Sequence, residues 1–196
     1  MTAAKKILIL AANPRGTTPL RLGEEVREID EGLRRAKNRD QFSVEQRWEV
    51  RSRDIYRAML DVNPVFVHFC GHGSGEQGLA FENEAGQVQL ETSESLAALF
   101  DVFSERGIEC VVLNACYSEV QAKAISKHVN YVVGMSSAIS DKSSISFAVT
   151  FYDALGAGES VEFAHRLACS QLVRMGESNI PILKKKAQTV TSYVLV

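Results

Sequence analysis

Two short apolar runs, each stopping at a reactive polar residue, constrain this chain most. Val65-Phe-Val-His-Phe-Cys-Gly-His-Gly73 ends on His72, flanked by Gly71 and Gly73. Cys110-Val-Val-Leu-Asn-Ala-Cys116 ends on Cys116. Short buried runs of this kind predict inner strands of a parallel sheet. In open α/β sheets, chemistry collects beyond the carboxyl ends of such strands. If the two strands are neighbours, imidazole and thiol share one rim, which is the arrangement of a cysteine nucleophile with a histidine base.

The remaining pattern supplies an α/β frame for those runs. Residues 6–12 predict a first buried strand, followed by the loop Asn13-Pro-Arg-Gly-Thr-Thr-Pro19. Thr18 and Pro19 fit an N-cap and first helical position. Leu22, Val26, Ile29, Leu33 and Ala36 then recur at helical spacing. Phe42, Val44, Gln46, Trp48 and Val50 alternate as a strand with one covered face. A short helix at 52–60 returns the chain to the strand at 65–70, so the crossover is right-handed and parallel. After His72 comes a mobile glycine-rich loop, then a small exposed hairpin around Asn83-Glu-Ala-Gly86. Thr92 or Ser93 caps a helix carrying Leu96, Leu99, Phe100 and Phe103. Ser118-Glu-Val-Gln121 has the capping-box pattern, predicting a helix to about His128. A strand at 131–134 and helices at 142–155 and 160–175 follow. Residues 189–196 alternate like one more strand.

Composition sets bounds on function. The chain has 196 residues, 45% hydrophobic and 23% charged, enough for one domain with a full core. A net charge of −2 gives no global attraction to nucleic acid or anionic membrane. No apolar run is long enough to span a bilayer, and the N-terminus lacks the features of a signal peptide. Four cysteines, three beside apolar runs, read as free thiols of a reducing cytoplasm.

A free cysteine is mostly thiol at neutral pH, so a nucleophile needs help. Cys116 precedes the expected N-cap by two residues, where the helix dipole favours a thiolate, and His72 can take the proton. Glycines beside His72 allow close backbone approach. The Gly73 and Cys116 N–H groups are the natural oxyanion-hole donors. The competing reading makes Cys116 a buried structural thiol and His72 a loop histidine. His68, Cys70 and His72 alternate along one strand and, with Cys116, also make a zinc-like set; packed side chains are the reading preferred, with no metal or other cofactor. Asn114 either orders the rim or satisfies backbone. The loop at 13–19 has one glycine and no phosphate-binding fingerprint.

Phe69-Cys-Gly-His-Gly73 and Leu113-Asn-Ala-Cys116 resemble the two signature boxes of the CHAT family, bacterial relatives of caspases and separases. Residues 143–164, with Phe151-Tyr-Asp-Ala-Leu-Gly156, are similar to that family's C-terminal helices. The histidine lies 44 residues upstream of the cysteine, near the caspase interval. The resemblance implies a caspase-like three-layer sandwich: a mostly parallel central sheet, helices on both faces and a small hairpin after the histidine loop. It implies a His72–Cys116 dyad cleaving a partner protein through a thioester, in bacterial signalling, defence or regulated cell death. A sensor or adaptor protein is the implied regulator. In separase-like relatives an acidic residue near Asp141 receives a basic substrate side chain; the alternatives here are an N-cap for the helix at 142 and a hydrophobic P1. Two other functions stay open: a catalytically silent caspase-like interaction module and a phosphate binder at the 13–19 loop.

Overall fold

The computed structural model describes residues 4–187. Its main sheet has six strands in the order β2-β1-β3-β7-β8-β9. β1 (Lys5–Ala11) lies between β2 (Phe42–Arg47) and β3 (Phe66–Cys70), and β7 (Cys110–Asn114) and β8 (Tyr131–Met135) continue the parallel array. β9 (Pro181–Lys185) closes the far edge antiparallel to β8. A second sheet holds β4 (His72–Gly73), β5 (Leu79–Glu82) and β6 (Val88–Glu91), all antiparallel.

Both faces of the main sheet are covered, which explains why its inner strands are apolar without alternation. On one face Ile7, Ile9, Phe66, Cys110 and Val112 pack against α1 (Leu22–Arg35), α5 (Asp141–Ala157) and α6 (Val161–Gln171). On the other, Leu8, Leu10, Val67, Phe69 and Val111 meet α2 (Ser52–Val62), α3 (Ser93–Val102) and α4 (Glu119–Ile125). This is the predicted three-layer sandwich.

Several local expectations change. The first helix starts at Leu22, not near Thr18, because Asn13 holds the loop open by hydrogen bonds to both the N–H and the carbonyl of Leu20. The hairpin is half-buried rather than exposed: β5 is covered throughout, and Phe81 packs on Phe69 with ring centroids 4.7 Å apart. The glycine-rich loop is pinned by Ser74 N–H to Gly78 O (2.9 Å) and by Gln121 Nε2 to Gly75 O (2.7 Å). Thr92 caps α3, accepting from Ser95 N–H. Ser118 makes no capping box. It is fully buried and spends its hydroxyl between strands, donating to Leu113 O and accepting from Met135 N–H, both at 2.9 Å. α4 starts at Glu119 and has seven residues, ending at Ile125 rather than near His128. Ser140, not Asp141, caps α5. The last helix ends at Gln171, followed by a 3-10 turn over Val173–Met175. The strand expected at 189–196 lies outside the described residues.

Candidate active site

The register places the two reactive side chains together. β3 and β7 are adjacent, with Cys70 opposite Asn114. His72 and Cys116 each lie two residues past that pair, so both leave the sheet at the same level. Together with Leu20, Leu22, Glu25, Asn114, Ile139 and Asp141 they line one narrow cleft of about 40 Å3. The histidine loop presses directly onto the cysteine backbone: a Cβ at Gly73 would collide with Cys116 O. A glycine is required at 73 for that approach. Gly73→Ala is expected to displace His72, costing about 1–3 kcal/mol of stability and most of the Cys116 reactivity. Urea unfolding and thiol labelling measure the two effects separately.

Cys116 is half-buried. Its sulfur accepts from Ile139 N–H at 3.5 Å and faces Ile139 O at 3.6 Å. Tyr117, the next residue, holds φ +56°, a conformation uncommon for a bulky side chain. It is fixed by Tyr117 N–H to Ser137 O (3.1 Å), and such strain concentrates at functional turns. Among the described residues Cys116 N–H has no protein acceptor. Burial pushes the His72 imidazole below its usual range, and the Thr18 backbone carbonyl opposes that only in part. Burial thus favours the neutral ring, and among the described residues its Nε2 has no hydrogen-bond partner.

Below the cleft lies a polar cluster that the sequence reading did not single out. Glu25, on α1, is 2% exposed. Its Oε1 accepts from His68 Nε2 at 2.8 Å and from Asn114 Nδ2 at 2.7 Å. Asn114 Nδ2 also donates to Ser144 O at 3.1 Å. Asn114 thus braces the strand end two residues before Cys116 and also lines the cleft. The signal in the sequence was a carboxylate on the apolar stripe of Leu22, Val26, Ile29 and Leu33. Glu25, His68 and Cys70 approach one another closely enough to hold an ion. His72 and Cys116 stand apart from that group on the cleft wall, so the zinc-like set of His68, Cys70, His72 and Cys116 is not assembled. Each polar contact of Glu25 is a satisfied hydrogen bond.

Asp141 reaches the cleft, as expected, but its carboxylate is engaged. Arg21 Nε donates to Asp141 Oδ2 at 2.7 Å, and Arg21 N–H to Oδ1 at 3.4 Å. The other three thiols do not line the cleft. Cys70 and Cys110 are fully buried, and burial pushes both well up. Cys169 lies beside His165 and is pushed up to about 11 by burial. All four are free. In the loop at 13–19 the N–H groups of Arg15 and Thr17 are bonded to Gly86 O and Pro14 O, and that of Asn13 to Glu82 Oε1. Among the described residues no helix is long and apolar enough to cross a membrane.

This sheet order, with its histidine and cysteine at neighbouring strand ends, defines a caspase-like fold. The structure is similar to that of a secreted C11 cysteine protease from Bacteroides thetaiotaomicron in complex with an irreversible peptide inhibitor, with a TM-score of 0.64 at 11% identity, covering 87% of this chain and 59% of that one. A second structure from the same organism, the secreted C11 protease iotapain, has a TM-score of 0.57 at 9% identity over 86% of this chain and 61% of its own. The chain belongs to the CHAT domain family, whose model matches residues 4–183. It is 30% identical over 176 residues to a Roc-COR-CHAT protease from an unknown prokaryotic organism, covering 87% of this chain and 17% of the relative. It is 24% identical over 167 residues to a probable protease of Gillisia limnaea, covering 83% of this chain and 29% of that protein. The chain thus spans less than a third of the length of either relative.

Proposed function

We propose that this chain is a cysteine endopeptidase domain that cleaves a partner protein with His72 and Cys116. The observation that carries the reading is their shared cleft at adjacent, in-register strand ends, with Gly73 held against the Cys116 carbonyl. The protease names of the two relatives support it. In the first step His72 Nε2 takes the thiol proton while Sγ attacks the scissile carbonyl carbon. The tetrahedral oxyanion turns toward the N–H groups of Gly73 and Cys116. The imidazolium then gives its proton to the leaving amine, producing a thioester. Water, deprotonated by the same imidazole, releases the acid and restores the thiol.

Asp141 lines the cleft, and its carboxylate, once released from Arg21, fits a basic P1 side chain. At about 40 Å3 the cleft is too narrow for such a side chain, and binding requires Arg21 to yield Asp141 and the 13–21 segment to shift. Asp141→Asn is expected to lower kcat/KM for arginine and lysine P1 peptides about tenfold, the scale of a lost charge-assisted hydrogen bond, and to leave leucine P1 peptides unchanged. Because His72 titrates below its ordinary ~6.5, it stays in its basic form as pH falls past that value. The acid limb of kcat/KM is expected below pH ~6.5; a midpoint above it would contradict the burial of the ring.

The pathway proposed is bacterial signalling, defence or regulated cell death inside the cytoplasm, under a sensor or adaptor protein. Cleavage of a partner protein by wild type and not by Cys116→Ala tests the activity. Equal cleavage by both ends the peptidase reading. An intact biological output with Cys116→Ala establishes the silent interaction module instead.

A further inference from the structure

We propose that Arg21 is a resident competitor of the substrate: its guanidinium occupies Asp141, and the segment that carries it closes the His72–Cys116 cleft until a basic P1 side chain takes its place. The proposal rests on the peptidase reading for the site and adds a built-in restraint on it. One residue takes both oxygens of Asp141: Arg21 Nε donates to Oδ2 at 2.7 Å, and Arg21 N–H to Oδ1 at 3.4 Å. On either side of Arg21 in the chain, Leu20 and Leu22 line the cleft with Asp141 and leave only about 40 Å3. The same segment reaches His72 through the Thr18 backbone carbonyl. It therefore spans the cleft from the base to the carboxylate.

Arg21 breaks two local rules by standing there. It is the N-cap of α1, and its side chain caps nothing. Short oxygen-bearing side chains are preferred at that position, and a cation is repelled by the positive end of the helix dipole. A residue that violates local preference marks a place where another constraint acts. Here the constraint lies across the cleft, in Asp141. Glu24 Oε2 accepts from Arg21 Nη1 at 2.8 Å and steadies the guanidinium. The hold is also weak enough to be displaced. The Arg21 side chain is 51% exposed, and ion pairs so open to water contribute little. The contacts of the Asn13 side chain to Leu20, at 3.4 and 3.5 Å, are long. A substrate guanidinium or ammonium can thus exchange for Arg21 on Asp141, charge for charge, which a neutral P1 side chain cannot do.

The test is the rate at which a peptidyl-arginine chloromethyl ketone labels Cys116, read by mass spectrometry in wild type, Arg21→Ala, Asp141→Asn and the double variant. Arg21→Ala is expected to react at least threefold faster than wild type, with urea unfolding showing that it is folded. In the Asp141→Asn background the same change is expected to alter the rate less than twofold, since the competitor then has no carboxylate to hold. Arg21→Lys keeps a cationic donor and falls between wild type and Arg21→Ala. Should Arg21→Ala fail to fold, Arg21→Gln keeps the stem and carries the same expectation. An adduct that forms only without Arg21 supports the proposal most strongly. An equal or slower rate without Arg21, or an equal gain with and without the Asp141 carboxylate, overturns it and leaves the peptidase reading standing. No Cys116 adduct in either wild type or Arg21→Ala overturns both.

Discussion

His72→Ala is expected to lower kcat/KM toward a cleavable peptide by roughly 10²–10⁴-fold, the usual worth of a positioned general base, while changing unfolding free energy by less than about 1 kcal/mol. The two halves of that expectation have one cause. The ring is half-buried, and among the described residues its Nε2 meets no protein partner. It contributes little to packing, and removing it deletes an unsatisfied polar atom. What is lost, on the proposed mechanism, is the group that accepts the Cys116 proton. Steady-state kinetics beside urea denaturation separates the effects. A large fall in stability, or retained turnover, would show that His72 is a structural residue.

Glu25→Ala is expected to do the reverse, with its main effect on the fold. The substitution strands two buried donors, His68 Nε2 and Asn114 Nδ2. At about 1–3 kcal/mol for each unsatisfied group, the loss is about 2–6 kcal/mol, a large share of the roughly 5–15 kcal/mol that holds a domain folded. Glu25→Gln keeps an oxygen acceptor for both donors and is expected to cost only about 1 kcal/mol. Any folded Glu25→Ala protein also loses activity, because Asn114 braces the strand end two residues before Cys116. Chemical denaturation of the two variants checks this; equal stabilities would mean that the hydrogen bonds of Glu25 are not what matters.

The sheet was legible because its inner strands are buried on both faces, which forces largely apolar runs without alternation at 7–12, 65–70 and 110–114. Their endings at His72 and Cys116 marked the cleft for the same reason: burial stops where the strands reach the rim. The polar support beneath the cleft was harder to see. Glu25 sits on an apolar helical stripe, but its partners come from β3 and β7, and no local pattern reveals such a meeting. Ser118 misled because a capping-box sequence describes one helix end, whereas its hydroxyl is used by two strands. The late start of α1 followed from Asn13, whose side chain competes with helix formation at a distance of seven residues. Asp141 lines the cleft, but its pairing with Arg21 depends on a contact across 120 residues.

The central claim is that Cys116 is the one activated thiol and that His72 activates it. Mass spectrometry of the intact chain after treatment with an irreversible electrophilic peptide bearing a P1 arginine tests it without needing a known substrate. The expected result is a single adduct, located at Cys116, forming at least tenfold more slowly in His72→Ala and absent in Cys116→Ala. Labelling at Cys169, or an unchanged rate in His72→Ala, would contradict it.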